Sequence, residues 1–216
     1  MLKKSVLTAV LCAVGVCAAI SNTQAGTVIP YPNPHTENPE TYTFTATSDG
    51  QIVAYFAGSG AGLTEVVGML VNGVPTGVTG LNDHTSNIGD SIVLGTVHAG
   101  DSLVFFDHII PDGDIWYSDV SMNNGDGQHV YSAPYDGKNP AFGGIPAGIY
   151  VGFEDRKKFA AEGDPPTDFN YFDDTFVFTN VTAEDTPLPG ALPLFITGLG
   201  GLGLLGWRKA GKTAGH

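Results

Sequence analysis

Seven short runs rich in Val, Ile, Thr and aromatic residues divide the middle of the chain: residues 41–47, 51–57, 66–71, 91–97, 102–106, 149–153 and 175–181. Between them stand Ser48-Asp49-Gly50, Asn72-Gly73, Gly89-Asp90, Gly100-Asp101 and Asp112-Gly113. β-Branched and aromatic side chains suit a pleated, half-buried surface, while Gly, Asn and Asp accept the backbone angles of tight turns. Asn72-Gly73 is the clearest hairpin, because both residue types tolerate the positive φ of a type I′ turn. No sustained helical period occurs outside the two termini. The expectation is an all-β domain of two packed antiparallel sheets, a β-sandwich of jelly-roll or Ig-like type.

Three stretches fall outside that pattern. Residues 27–40, with Pro30, Pro32, Pro34 and Pro39, read as an extended leader, edge strand or loop. Residues 111–147 are dense in Asp, Asn, Gly and Pro and read as a long loop region with at most short strands. Thr182 to Thr186 reads as a polar spacer, and no internal repeat is present.

Both ends of the chain look like address labels. Lys3 and Lys4 precede an uncharged apolar run from Val6 to Ile20, and Thr23-Gln24-Ala25 supplies the small residues that a signal peptidase reads, so residues 1–25 are expected to be a cleaved signal peptide. At the other end, Pro187-Leu188-Pro189-Gly190 is followed by a glycine-rich apolar run from Ala191 to Trp207 and by Arg208-Lys209. As a helix that run would be about 25 Å long, near the lower limit for crossing a bilayer core of about 30 Å. The basic residues favour a cytoplasmic tail. The expected divisions are a sandwich over 26–182, spacer and sorting motif over 183–190, hydrophobic helix and basic stop over 191–209, and a tail over 210–216.

Thr186 to Phe195 with the run from Gly198 to Lys209 resembles the PEP-CTERM sorting signal, in the variant whose proline motif is Val-Pro-Leu-Pro; Thr186 stands where that variant has Val. The resemblance implies export across a Gram-negative inner membrane and recognition by an exosortase, with Pro187, Leu188, Pro189, Gly190, Arg208 and Lys209 as the sorting residues. Gly201, Gly203 and Gly206 also spell G-x-G-x-x-G, but no strand precedes them and no acidic residue follows, so a dinucleotide site is rejected.

Both cysteines, Cys12 and Cys17, fall in the signal peptide, which leaves the passenger without a thiol. All 22 acidic residues lie in the passenger, against four bases there: Lys138, Arg156, Lys157 and Lys158. Phosphate binding draws its affinity from cationic side chains, so a nucleic-acid partner is excluded. Such acidity suits divalent cations instead.

Carboxylates and an amide recur around the last two strand-like runs, with Glu154-Asp155 after one and Asp168, Asn170 and Asp173 before the other. At these spacings Glu154, Asp155, Asp168, Asn170 and Asp173 can converge on one hard cation, calcium outside the cell. The block from Tyr150 to Asp155, with Asp168-Phe169-Asn170-Tyr171 and Asp173, resembles the end of the DUF4114 family of secreted bacterial proteins, which implies a calcium-assisted β-sandwich. Phe172 and the loop from Arg156 to Pro166 depart from that family's pattern. An earlier acidic group, Asp107, Asp112, Asp114, Asp119, Asn123, Asn124 and Asp126, lacks the EF-hand pattern and reads as a solvated loop, with a second calcium site as the alternative.

Other chemistry finds little support. The histidines occur singly, without zinc-ligand spacing, and Gly58-Ser59-Gly60 is not a nucleophile elbow. Trp116, Tyr117, Tyr131 and Tyr135 either stack on sugars or anchor a loop, and anchoring is favoured. The function expected is therefore non-enzymatic: an exported, exosortase-sorted protein of the envelope or exopolysaccharide matrix, structural or glycan-binding, with signal peptidase and exosortase as processing partners. The alternative is a secreted carbohydrate-active hydrolase using a carboxylate pair.

Overall fold

The computed structural model describes residues 29–110, 112–159 and 167–187. The signal peptide, the hydrophobic helix 191–209 and the sorting residues Leu188, Pro189, Gly190, Arg208 and Lys209 lie outside them. The described residues form an all-β fold of eleven strands: β1 Glu40–Ala46, β2 Gly50–Ser59, β3 Thr64–Val71, β4 Val74–Gly80, β5 Ser91–Val97, β6 Ser102–Ile110, β7 Ile115–Tyr117, β8 Val130–Tyr135, β9 Gly148–Phe153, β10 Asp174–Thr179 and β11 Val181–Pro187. One antiparallel sheet runs β11-β1-β6-β3-β4, with β7 against β6, and the other runs β5-β2-β10-β9-β8. No helix among the described residues is long and apolar enough to cross a membrane.

The two sheets pack face to face because their strands alternate. In β6, Leu103, Phe105, Asp107 and Ile109 point inward, while Val104, Phe106 and His108 are only partly covered. Phe105 of the first sheet stacks on Phe178 of the second at 3.7 Å between ring centroids, and Phe44 meets Phe105 edge-on at 5.2 Å. Ile52, Val67, Met69, Leu94, Phe153 and Phe176 complete a fully buried core. With no cysteine among the described residues, this apolar packing is the main favourable term holding the sheets together.

The seven expected strands are all present, and Asn72 (φ 50°) and Gly73 (φ 79°) make the expected turn between β3 and β4. β4 itself was hidden by Pro75, Gly77 and Gly80; it lies at a sheet edge, where a missing N–H donor and weak propensity are tolerated. The region 111–147 holds β7 and the six-residue β8, also an edge strand despite Pro134.

The reading of 183–190 as spacer and motif needs correcting in its first half. The chain turns at Asn180 (φ 63°), and β11 then pairs with the whole of β1, from Ala46↔Val181 to Glu40↔Pro187. Pro187 of the sorting motif therefore lies within this strand, paired with Glu40. A polar strand is stable here because it is an edge: Val181 is buried and Ala183 half-buried, while Thr182, Glu184 and Asp185 face solvent. The charged pair also discourages another chain from adding to that edge.

A spacer would exchange its amide hydrogens freely, whereas an edge strand protects those that face its neighbour. Hydrogen exchange should show protected amides among residues 181–185, and uniformly fast exchange there would exclude the pairing with β1.

Candidate metal centre

The apolar core ends, on one side of the sandwich, in carboxylates. Glu65 is the second residue of β3 and shares its inward face with Val67 and Met69. Asp107 pairs with Val67 across the ladder, so Glu65 and Asp107 are diagonal neighbours on that face. Asp174 opens β10 of the opposite sheet, ahead of Phe176 and Phe178. Glu154 and Asp155 follow β9, and Asp173 precedes β10, which pairs with β9. Asp83, between β4 and β5, accepts a hydrogen bond from the Glu65 N–H at 2.8 Å.

Two triads result. In Glu154, Asp155 and Asp173, and again in Glu65, Asp107 and Asp174, each residue offers an oxygen and the three oxygens lie within 4.8 Å of one another. The triads adjoin, since the Asp155 carboxyl lies against that of Glu65. Glu65, Asp107 and Asp174 are 0% exposed, Glu154 1% and Asp155 4%. Nine carboxylate oxygens of Glu65, Asp83, Asp107, Glu154, Asp155 and Asp174 are buried without a hydrogen-bond donor among the described residues. The nearest basic side chains stand at the margin: Arg156 Nε is 3.8 Å from Asp155, and His84 Nε2 is 3.4 Å from Asp83. Lys157 and Lys158 are engaged elsewhere, with Asp114 at 2.8 Å and Glu37 at 2.6 Å.

Of the residues expected to converge, Glu154, Asp155 and Asp173 do so, while Asp168 and Asn170 do not join them. Asp168 is exposed and accepts hydrogen bonds from the Asn170 N–H at 3.0 Å and Nδ2 at 2.8 Å. Asn170 Oδ1 accepts from the Phe172 N–H. With Phe169 and Tyr171 at positive φ, these turns deliver Asp173 to the centre, and Asp168 acts on Glu154 only as a nearby charge. Short polar side chains bonding two residues ahead are ordinary turn chemistry.

Asp107 leaves the earlier acidic group and enters the core, which corrects its reading as solvated loop. Three others in that group have local work: Asp119 Oδ1 accepts from the Ser121 N–H, Asp114 pairs with Lys157, and Asn123 binds the backbone of Tyr117 and Gly127. Strand parity carried the signal for Glu65, Asp107 and Asp174, since each occupies an inward position beside Val, Met or Phe.

A clamp fixes the backbone of the centre. The indole Nε1–H of Trp116 donates to the Asp155 carbonyl at 2.7 Å, and His129 Nδ1 lies 2.8 Å from the Glu154 carbonyl, which only an N–H there satisfies. Their rings stack in parallel at 3.7 Å. Trp116 is thus an anchor rather than a sugar platform, and burial pushes the His129 pKa down. Asp126 faces His129 Nε2 at 3.2 Å and accepts from the Lys158 N–H at 3.0 Å, so the chain after Asp155 is tied to the same clamp.

The chemistry of this donor set is that of a hard cation. Two oxygens bound to one calcium at 2.3 to 2.6 Å are at most about 5.2 Å apart, so each triad is compact enough. Without a cation, protons must take its place. Burial pushes the Glu65 carboxyl up to about 12, aided by Asp107 and Asp155, and Asp173 up to about 9, aided by Glu154 and Asp155. Burial likewise raises Asp107 and Asp174 well above the carboxylate range, and raises Glu154. The chain matches no protein-family model, no curated protein and no solved structure.

These carboxyls keep protons in the folded, cation-free chain at pH values where the unfolded chain, titrating near 4, has lost them. The stability from their raised pKa values is complete below about pH 4 and is lost as pH rises through about 9 for Asp173. In chelator, the melting temperature should therefore fall as pH rises from 5 to 9, a single carboxyl such as Asp173 losing about 1.4 kcal/mol of stability per pH unit. A profile flat over that range would show that the folded chain does not retain the protons.

Proposed function

We propose that the protein is an exported, calcium-stabilised β-sandwich of jelly-roll or Ig-like type, sorted by an exosortase and serving the envelope or exopolysaccharide matrix as a structural or glycan-binding element. The observation that carries the calcium reading is the Glu154, Asp155 and Asp173 triad, whose oxygens are gathered within 4.8 Å with Arg156 as the one Lys or Arg paired to it among the described residues, 3.8 Å from Asp155. Export is supported by the signal-peptide pattern of residues 1–25 and the PEP-CTERM-like tail. Jelly-roll or Ig-like connectivity is supported by strands that cross between sheets, as at β1 to β2 and β2 to β3.

A binding role is favoured over glycoside hydrolysis because five of the six close-set carboxylates are buried and the sixth, Asp173, is half-buried, which leaves no open carboxylate pair for a polysaccharide to reach. A cleft beside it, lined by Ser59, Asp83, His84, Asn87, Ile88 and Phe172, offers polar groups around a half-exposed aromatic ring. That combination suits a sugar face.

Calcium at about 100 times its dissociation constant should stabilise the folded chain by about 2.7 kcal/mol, a rise in melting temperature of about 5 to 10 °C. Thermal melts with calcium and with chelator measure it, and Asp173→Asn should reduce the response more than Asp168→Ala. A melting point indifferent to chelator would overturn the calcium reading. Expressed in a host with an exosortase, the chain should lose both ends, and mature extracellular protein with an intact C-terminus would overturn the sorting reading.

A further inference from the structure

We propose that the centre holds two divalent cations: beside the outer one at Glu154, Asp155 and Asp173, an inner one bound by Glu65, Asp107 and Asp174, with Asp155 shared between them. This rests on the outer triad being a cation site, and it adds a second site with a different structural job.

The inner triad is assembled by strands rather than by a loop. Glu65 and Asp107 come from adjacent strands of one sheet and Asp174 from the other sheet, and their oxygens meet within 4.8 Å. A cation there would join the two sheets where the apolar core stops. The cluster of acids is not the whole case. Each of the three side chains is 0% exposed, and both oxygens of each, six in all, lack a donor among the described residues. The surrounding inward positions are Val67, Met69, Phe105, Ile109 and Phe176, none of which donates. Arg156, the nearest guanidinium, reaches Asp155 only.

One cation does not resolve this arrangement. Placed in the outer triad, it neutralises two charges and coordinates that triad's oxygens, leaving the inner six with no partner but shared protons. Buried carboxylates without partners cost several kcal/mol each, so an inner site with a full complement of oxygen ligands and nothing to bind is a poor end point for folding. Calcium takes six to eight oxygens, and carboxylates bind it through one or both oxygens. Three carboxylates per triad, with Asp155 between them and Asp83 beside Glu65, supply oxygens for two such ions. Asp83 Oδ2, 3.4 Å from His84 Nε2 but not hydrogen-bonded to it, is a further oxygen at the inner margin.

The experiment is a count of bound calcium per chain. Full-length protein is stripped with chelator, titrated calorimetrically with calcium chloride, and its stoichiometry checked by metal analysis after desalting. Wild type should bind two ions, and Asp107→Asn and Asp173→Asn should each bind one. One ion in the wild type, kept in Asp107→Asn and lost in Asp173→Asn, would overturn the inner cation and leave the outer site standing. No ion at all would overturn both, with shared protons as the means by which the carboxyls are accommodated. Two ions in both wild type and Asp107→Asn would overturn the inner site as placed here. Should Asp107→Asn not fold, the wild-type count of two against one decides alone. Because Asn removes a charge while keeping the shape, this variant is expected to melt above the wild type in chelator and to gain less from calcium.

Discussion

Seven carboxylates share one end of a core that has no disulfide and almost no basic side chain to answer them. Taking an ion out of water costs several kcal/mol even after the protein relaxes, against a total stability of about 5 to 15 kcal/mol for an ordinary domain. The sandwich therefore cannot close over Glu65, Asp107, Asp174, Glu154 and Asp155 as bare anions. Either protons or cations must accompany them into the fold, and this choice makes the stability of the whole domain depend on its surroundings. The rest of the architecture, from the Phe105–Phe178 stack outward, is ordinary apolar packing that needs no such partner.

The two triads differ in how they are held. Strands with fixed register set the inner one, so Glu65, Asp107 and Asp174 are held by the same ladders that place Met69 and Phe178 in the core. The outer one depends on turns: Asp168 and Asn170 bend the chain into β10, and the Trp116–His129 stack holds the carbonyls of residues 154 and 155. Outer supports of this kind orient ligands in a way that the ligating residues alone do not. They also explain why aromatic residues sit in a polar loop region, since their ring faces are used inside the protein and their N–H groups on its backbone.

Much of this was legible in the residue order. Alternating apolar runs separated by Gly, Asn and Asp specify strands and turns through local backbone preferences, so seven strands and the Asn72-Gly73 turn follow from neighbours alone. The grouping of Glu154 and Asp155 with Asp173 also follows, because β9 and β10 are adjacent antiparallel strands and the acids stand at their joined ends. Glu65 and Asp107 each stand one residue outside the runs 66–71 and 102–106, and parity reaches them only when those strands are extended. Each takes an inward place that a hydrophobic residue would ordinarily fill.

Position in the tertiary structure decided what local preference does not encode. β4 carries Pro and Gly and β8 carries Pro, and both became strands only because an edge forgives them, while β11 became one because β1 had a free side to pair with. Those are contacts between segments far apart in the chain, and no short window contains them. The meeting of Glu65, Asp107 and Asp174 is of the same kind: three residues separated by 42 and 67 positions, drawn from two sheets, become one charge cluster only when the sheets pack. Composition determined that the domain would be acidic and thiol-free; face-to-face burial decided that part of that acidity would be sealed between the sheets, where desolvation turns solvated charge into a demand for a cation or a proton.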